Sequence, residues 1–255
     1  MRTSLSLALG LALVGLVACG DDGGGNNNPG IDAAVFEDAR VDAPPAPLMI
    51  TISGTATERG LGGSTPVADA LIGAYASSDE NTPLTTTMTD VDGNFTMTVE
   101  TTGEAITGYL KATKADYTDT YLYPPGPLAA DLMGAPINMV TTGTFELLST
   151  VAQGDQVPGN GLIAVVVASG TVPDLMPVAG ATITTEPTVE RYRYNGMNGL
   201  PDANATSTQA DGVAYAFNVP PGGATVTAAM AGATFGTTSV KSFADSLITT
   251  TVVQQ

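Results

Sequence analysis

The 255-residue chain contains no histidine, a single cysteine and only eight lysines and arginines. Without imidazole, the Ser-His-Asp and Cys-His nucleophile systems, the common zinc sites and the two-His iron centres lose the neutral base or ligand that each depends on. One cysteine permits no disulfide within the chain, so every folded part is held by its core alone. Eight basic residues against 25 acidic ones give a formal net charge of −17. Such a surface repels phosphate backbones and anionic headgroups, which argues against nucleic acid as a partner and leaves no basic patch for membrane attachment. No phosphate-binding or dinucleotide loop follows a strand, because the glycines between Gly60 and Gly63 are irregular and open no helix. Asp and Glu are plentiful, yet nothing sets a carboxylate pair apart, so the chain reads as a non-enzyme without a cofactor.

The N-terminus has Arg2, then an apolar run from Leu5 to Val17, then Ala18 and Cys19. That run is shorter than the roughly 20 residues a helix needs to cross a bilayer, and its flanks are those of a cleavable signal peptide. Leu16-Val17-Ala18-Cys19 resembles the lipobox of bacterial lipoproteins. The resemblance implies that residues 1–18 are removed, that the Cys19 sulfur is acylated and that the protein meets the membrane through this lipid. Gly20 after the cysteine is similar to the outer-membrane sorting signal. Residues 19–47 are Gly, Asn, Asp, Ala and Pro with few large apolar side chains, too few to offset the entropy of ordering. They read as a disordered tether, extended by the mutual repulsion of Asp32, Asp38 and Asp42 and by Pro44-Pro45.

After Pro47 the composition turns to short Val-, Ile-, Thr- and Tyr-rich runs separated by Gly, Pro and Asp-Gly turns, the pattern of an all-β sandwich. Ile50 and Ile52 alternate with Met49, Thr51 and Ser53, as do Phe95, Met97 and Val99 with their neighbours, so both runs read as half-buried strands. An internal repeat organises the rest. Pro66-Val67-Ala68-Asp69-Ala70-Leu71-Ile72 recurs as Pro177-Val178-Ala179-Gly180-Ala181-Thr182-Ile183, displaced by 111 positions (66 to 177), and Asp92-Gly93 recurs as Asp211-Gly212, displaced by 119 (92 to 211). The second copy therefore carries an insertion, placed around Glu186 to Ala205. The stretches PVADALI, TMTDVDGNFTM and KATKADY of the first copy, and PVAGATI and STQADGVAYAF of the second, resemble the carboxypeptidase regulatory-like domain, a transthyretin-like β-sandwich. The resemblance implies two tandem Greek-key sandwiches of that type. The expected organisation is a first sandwich over 48–123, a linker over 124–160 with a short helix at Phe145 to Ala152, and a second sandwich over 161–255. A piece from Pro47 to Tyr123 and another from Gly161 to Gln255 are each expected to fold.

Two groups of side chains invite chemistry. Asp90, Asp92 and Asn94 form a D-x-D-x-N run, but the sixth and twelfth positions of a calcium loop hold Phe95 and Thr101. Capping of a hairpin turn explains the run better than a metal does. Arg191, Tyr192, Arg193 and Tyr194 place scarce basic and aromatic residues together in the insertion, and Tyr and Arg dominate binding hot spots. The same letters fit a hairpin edge turned at Asn195-Gly196 with arginines as gatekeepers. The function expected is a non-enzymatic lipoprotein of the cell envelope serving as an interaction or scaffold module for an envelope protein. The alternative is a carbohydrate-binding or adhesive surface protein that uses the Arg/Tyr hairpin on a glycan.

Overall fold

The computed structural model describes residues 48–60 and 63–255. Cys19, the leader and the tether lie outside the described residues. The first half contains β1 (Met49–Gly60), β2 (Gly63–Pro66), β3 (Leu71–Ala76), β4 (Thr85–Met88), β5 (Asn94–Glu100), β6 (Gly108–Thr113), β7 (Thr120–Tyr123) and β8 (Leu132–Met139). β1 pairs antiparallel with β5 and parallel with β8. This layer packs on β4-β3-β6-β7 through Ile50, Ile52, Phe95, Val99 and Ile137 on one side and Ile72 and Leu110 on the other. Alternation along β5 buries Phe95, Met97 and Val99 and exposes the residues between them, as a strand with one wet face requires. Gly54 is glycine because β8 lies against it: a Cβ there would enter the Ala135 main chain.

A helix, α1 (Thr142–Val151), follows, and then β9 (Gly161–Thr171), β10 (Asp174–Pro177), β11 (Thr182–Glu186), β12 (Arg191–Asn195), β13 (Pro201–Asp202), β14 (Val213–Val219), β15 (Gly222–Ala229), β16 (Thr237–Ser242) and β17 (Leu247–Val253). β9 repeats the pairings of β1, antiparallel with β14 and parallel with β17. β15 pairs with β11 and β16 as β6 pairs with β3 and β7. Ile163, Val165, Val167 and Ile248 close on Ile183, Val226 and Val240 to form the second core. The described chain is thus nearly all β, built as sandwiches.

The repeat is kept down to single hydrogen bonds. Thr89 Oγ1 donates to Val67 O at 2.7 Å and accepts from Ala70 N at 2.9 Å, and Thr208 Oγ1 donates to Val178 O at 2.7 Å and accepts from Ala181 N at 3.0 Å. Both threonines are buried. Ala56 N donates to Gly93 O and Val167 N to Gly212 O, each at 2.8 Å. Asp69 stands at φ 53° where the second copy has Gly180 at φ 84°, so one short polar residue and one glycine serve the same left-handed turn. Thr208→Val keeps the shape and leaves a buried N–H and a buried carbonyl without their hydroxyl. A loss of about 1–3 kcal/mol is expected in denaturant unfolding, against less than about 0.5 kcal/mol for the exposed Thr182→Val.

Two findings differ from the sequence reading. The stretch 124–160 contains β8, whose Ala135, Ile137 and Met139 belong to the first core. Its period of two is masked by Gly134 and Pro136, the first at φ 71° in a register shift against β1. A piece ending at Tyr123 therefore lacks a core strand. It is expected to stay unfolded by circular dichroism, unlike the whole chain. The helix begins three residues earlier than expected, because Thr141 caps it by accepting from Thr144 N at 3.1 Å. Its Phe145 and Leu148 pack with Leu162, Phe217 and Leu247 on the outer face of the second sandwich.

Candidate functional site

The Arg/Tyr segment forms β12, which lies between β13 and β14 rather than at a sheet edge. Its side chains alternate between two internal tasks. Tyr192 Oη accepts from Thr185 N at 3.0 Å and Tyr194 Oη accepts from Ile183 N at 3.2 Å. Thr185 and Ile183 are the counterparts of Ala74 and Ile72, whose β3 is covered by β4 in the first half. In the second half no strand pairs with that edge of β11 among the described residues, and two tyrosine hydroxyls take its N–H groups instead. On the opposite face Arg193 Nε donates to Ala152 O at 2.6 Å and Arg193 Nη2 to Gln153 O at 3.0 Å, while Arg191 pairs with Asp155 at 2.6 Å. The guanidinium groups thus hold the C-terminal end of α1, where carbonyls lack helical partners and the dipole favours a cation. Asn195 continues the tie by donating to Asp211 at 2.6 Å. The polar ends of Arg191, Tyr192, Arg193 and Tyr194 are therefore bonded within the protein. Arg193→Ala is expected to lower stability by about 2 kcal/mol and to free α1, read as faster amide exchange at Ala152 to Asp155.

Asp90, Asp92 and Asn94 sit in the β4–β5 turn. Asp90 Oδ1 accepts from Asp92 N at 2.9 Å and Asn94 N at 2.8 Å, and Oδ2 accepts from Asn94 Nδ2 at 3.3 Å. The Asn94 N–H bond holds the Asp90 carboxyl below its ordinary range. Gly93 supplies the positive φ, 76°.

Sequence reasoning missed the joint between the two halves. β17 lies parallel to β9 on one side and parallel to β7 on the other, so one sheet runs β13-β12-β14-β9-β17-β7-β6-β3-β4. Rings fill the angle beneath it: Tyr75 stacks on Tyr109 at 5.4 Å, Tyr109 meets Tyr123 at 5.0 Å and Tyr121 stacks on Phe243 at 4.0 Å. Tyr109, Tyr121 and Tyr123, all from the first half, are buried with the second core. Lys111 pairs with Asp119 at 2.8 Å and stands 5.3 Å from the Tyr121 ring. Lys241 of the second half pairs with Glu80 of the first. Beside the joint is a cleft of about 220 Å³ walled by Thr107, Gly108, Tyr123, the Pro124–Pro127 turn and Thr237 to Ser239. The sequence signal for the joint is faint: tyrosines at 109, 121 and 123 and a Thr-rich last strand.

Burial, then the nearby Glu80 charge, pushes the Tyr109 hydroxyl up to about 12, and the bond to Glu58 pushes Tyr117 up to about 12 as well. A hydroxyl whose folded-state pKa is raised contributes stability that is full below the ordinary tyrosine range. That stability is lost as pH rises through it, since the unfolded chain gives up its protons first. Stability is therefore expected to fall between pH 10 and pH 12, with tyrosinate absorbance rising in step with unfolding.

No family model matches the chain, and no curated protein matches it. Among solved structures it is similar to GBS52, the minor pilin of Streptococcus agalactiae, at 12% identity and TM-score 0.28, over 80% of this chain and 95% of that one. It is also similar to the shaft pilin SpaA of Lactobacillus rhamnosus GG, at 11% identity and TM-score 0.24, over 81% and 98%. The Bacillus anthracis TIE protein matches at 14% identity and TM-score 0.26, over 81% of this chain and 34% of that one. At such TM-scores these likenesses place the chain in no family. The described residues form a nearly all-β protein whose two sandwiches share one sheet.

Proposed function

We propose that the chain is a non-enzymatic lipoprotein of the cell envelope, an interaction or scaffold module whose sheet-bonded sandwiches stand on a lipidated tether. The observation that carries this reading is the joint. Parallel pairing of β17 with β7, backed by the rings of Tyr75, Tyr109, Tyr121, Tyr123 and Phe243, makes two sandwiches one unit. A stiff body is what a spacer or scaffold requires, and the absence of histidine from the sequence speaks against most hydrolytic chemistry. The transthyretin-like assignment, the outer-membrane address and the lipid on Cys19 belong to this proposal. A glycan site on β12 gains no support, because its arginines and tyrosines are bonded internally.

Cell fractionation tests the anchor. Cys19→Ser is expected to move the protein out of the membrane fraction or leave it uncleaved. A mutant that stays in the membrane with unchanged gel mobility contradicts the lipid. A photo-crosslinking residue at exposed Met133 or Met197 in intact cells tests the module, with discrete adducts to envelope proteins expected. A complete lack of adducts contradicts it.

A further inference from the structure

The two copies differ in what lies beside one strand. In the first half the outer edge of β7 carries β17: Leu247 N donates to Asp119 O at 3.0 Å, Thr249 Oγ1 to Tyr121 O at 3.2 Å and Thr250 Oγ1 to Tyr123 O at 3.1 Å. The counterpart of β7 in the second half is β16. Ala74 pairs with Leu110 and Leu110 with Leu122, as Thr185 pairs with Val226 and Val226 with Thr238. Tyr121, Leu122 and Tyr123 thus correspond to Thr237, Thr238 and Ser239. Among the described residues no strand pairs with the outer edge of β16.

That edge is closed at both ends and open between them. Before it, Gly236 N donates to Val253 O at 2.8 Å. After it, the Lys241 ammonium is held by Glu80. The Asp119 carbonyl faces β17 and main-chain groups alternate along a strand, so those of Tyr121 and Tyr123, and of their counterparts Thr237 and Ser239, face the outer edge. Thr237 and Ser239 are exposed and line the joint cleft, while Thr238 turns inward and donates to Thr251 O at 2.9 Å. The gap spans three residues, about 10 Å of strand. Its opposite wall, the Pro124–Pro127 turn with Gly108, is short of rotatable side chains, which lowers the ordering cost of an incoming chain.

We propose that this gap is a docking groove for a short extended strand of a partner protein, added parallel to β16 as β17 is added to β7. The inference rests on the interaction-module reading and specifies its site. The residues lining the cleft carry no charge, so the segment that fits is uncharged, with Thr or Ser placed to donate to the carbonyls of Thr237 and Ser239. A second copy of this chain is a poorer donor. Its counterpart of β17 is β8, which is broken by the register shift at Gly134 and lacks an N–H at Pro136.

The chain's own filler supplies the probe. A capped peptide of the sequence Ile248 to Thr250, which in the first half pairs with the counterparts of Thr237 to Ser239, titrated into the isotope-labelled mature protein, is expected to shift the amides of Thr237, Ser239 and Gly108 saturably. N-methylation at its Thr249 position removes an N–H that faces the receiving edge and is expected to weaken binding by at least about tenfold. N-methylation at Thr250 faces away and leaves binding intact. Ser239→Pro removes a donor that points into the cleft, not toward β15, so it is expected to weaken binding similarly with little change in melting temperature. Shifts confined to other surfaces, or equal binding of the two methylated peptides, overturn the proposal. Light scattering that shows dimers sensitive to Ser239→Pro assigns the edge to a second copy and overturns the partner. Failure here leaves the envelope adducts of the module untouched, so the two readings fail separately.

Discussion

Replacing Gly212 by valine is expected to leave the whole chain unfolded, beginning from the second sandwich, under conditions in which the natural chain is stable. Gly212 has φ 68°, where a β-branched residue is a steric outlier. A Cβ there would also run into the Val167 carbonyl and come within 3.2 Å of Val178 N. Neither neighbour can yield: Val167 O accepts from Val178 N at 2.8 Å and Val167 N is bonded to Gly212 O. Strain and clash together should exceed about 4 kcal/mol, a large part of the stability of an ordinary domain. Gly93 has the same surroundings in the first half, facing Ala56 O and Val67 N, so Gly93→Val should do the same there. The control is Gly199→Asn. Its φ is 73° but nothing lies within 4 Å of the added Cβ, and Asn tolerates that conformation. A change of less than about 1 kcal/mol is expected. A well-folded Gly212→Val chain, by amide dispersion and urea midpoint, would show that the shared turn is not what closes each sandwich.

The second large effect is expected at the joint. Tyr121→Ala removes a ring stacked 4.0 Å from Phe243 and a wall of the second core, although Tyr121 belongs to the first half. Emptying a buried aromatic site costs about 3–5 kcal/mol. The location matters more than the size, because the cavity opens between the halves. Amide exchange should therefore speed up on both sides of it, at Thr120 to Tyr123 and at Leu247 to Thr250, while Ile137 in the far core changes little. Acceleration confined to the first half would show that the rings do not couple the two.

Much of the fold was legible because its signals are local. Strand alternation at Phe95, Met97 and Val99, the Asp-Gly turns and the 111-residue displacement each follow from a few neighbouring residues, and both copies fold into equivalent pairings. Thr89 and Thr208 lay inside the motifs that identified the repeat, yet their hydroxyl latches show only once Val67 and Val178 are brought beside them. β8 escaped because Gly134 and Pro136 interrupt its alternation. Its parallel pairing with β1 joins residues some 80 positions apart. The Arg/Tyr segment stands out in the sequence as scarce residues used together, and the structure gives its polar ends internal partners. What the letters could not tell is which surfaces lie on either side of β12. One proves to be the uncovered edge of β11 and the other the end of α1, so hot-spot residue types serve the interior of this protein.

The central claim, that β17 makes two repeated sandwiches one mechanical unit, is tested most directly by equilibrium unfolding of the mature chain with one core mutation in each half. Ile137→Ala and Ile163→Ala each delete a fully buried side chain, 0% exposed in both cases, and each should cost about 2–5 kcal/mol. If the shared sheet couples the halves, tyrosine fluorescence and far-ultraviolet circular dichroism will report one coincident transition, and either substitution will move the whole of it to lower denaturant. Two separated transitions, each moved by only one of the substitutions, would contradict the claim and return the protein to two independent beads on a string.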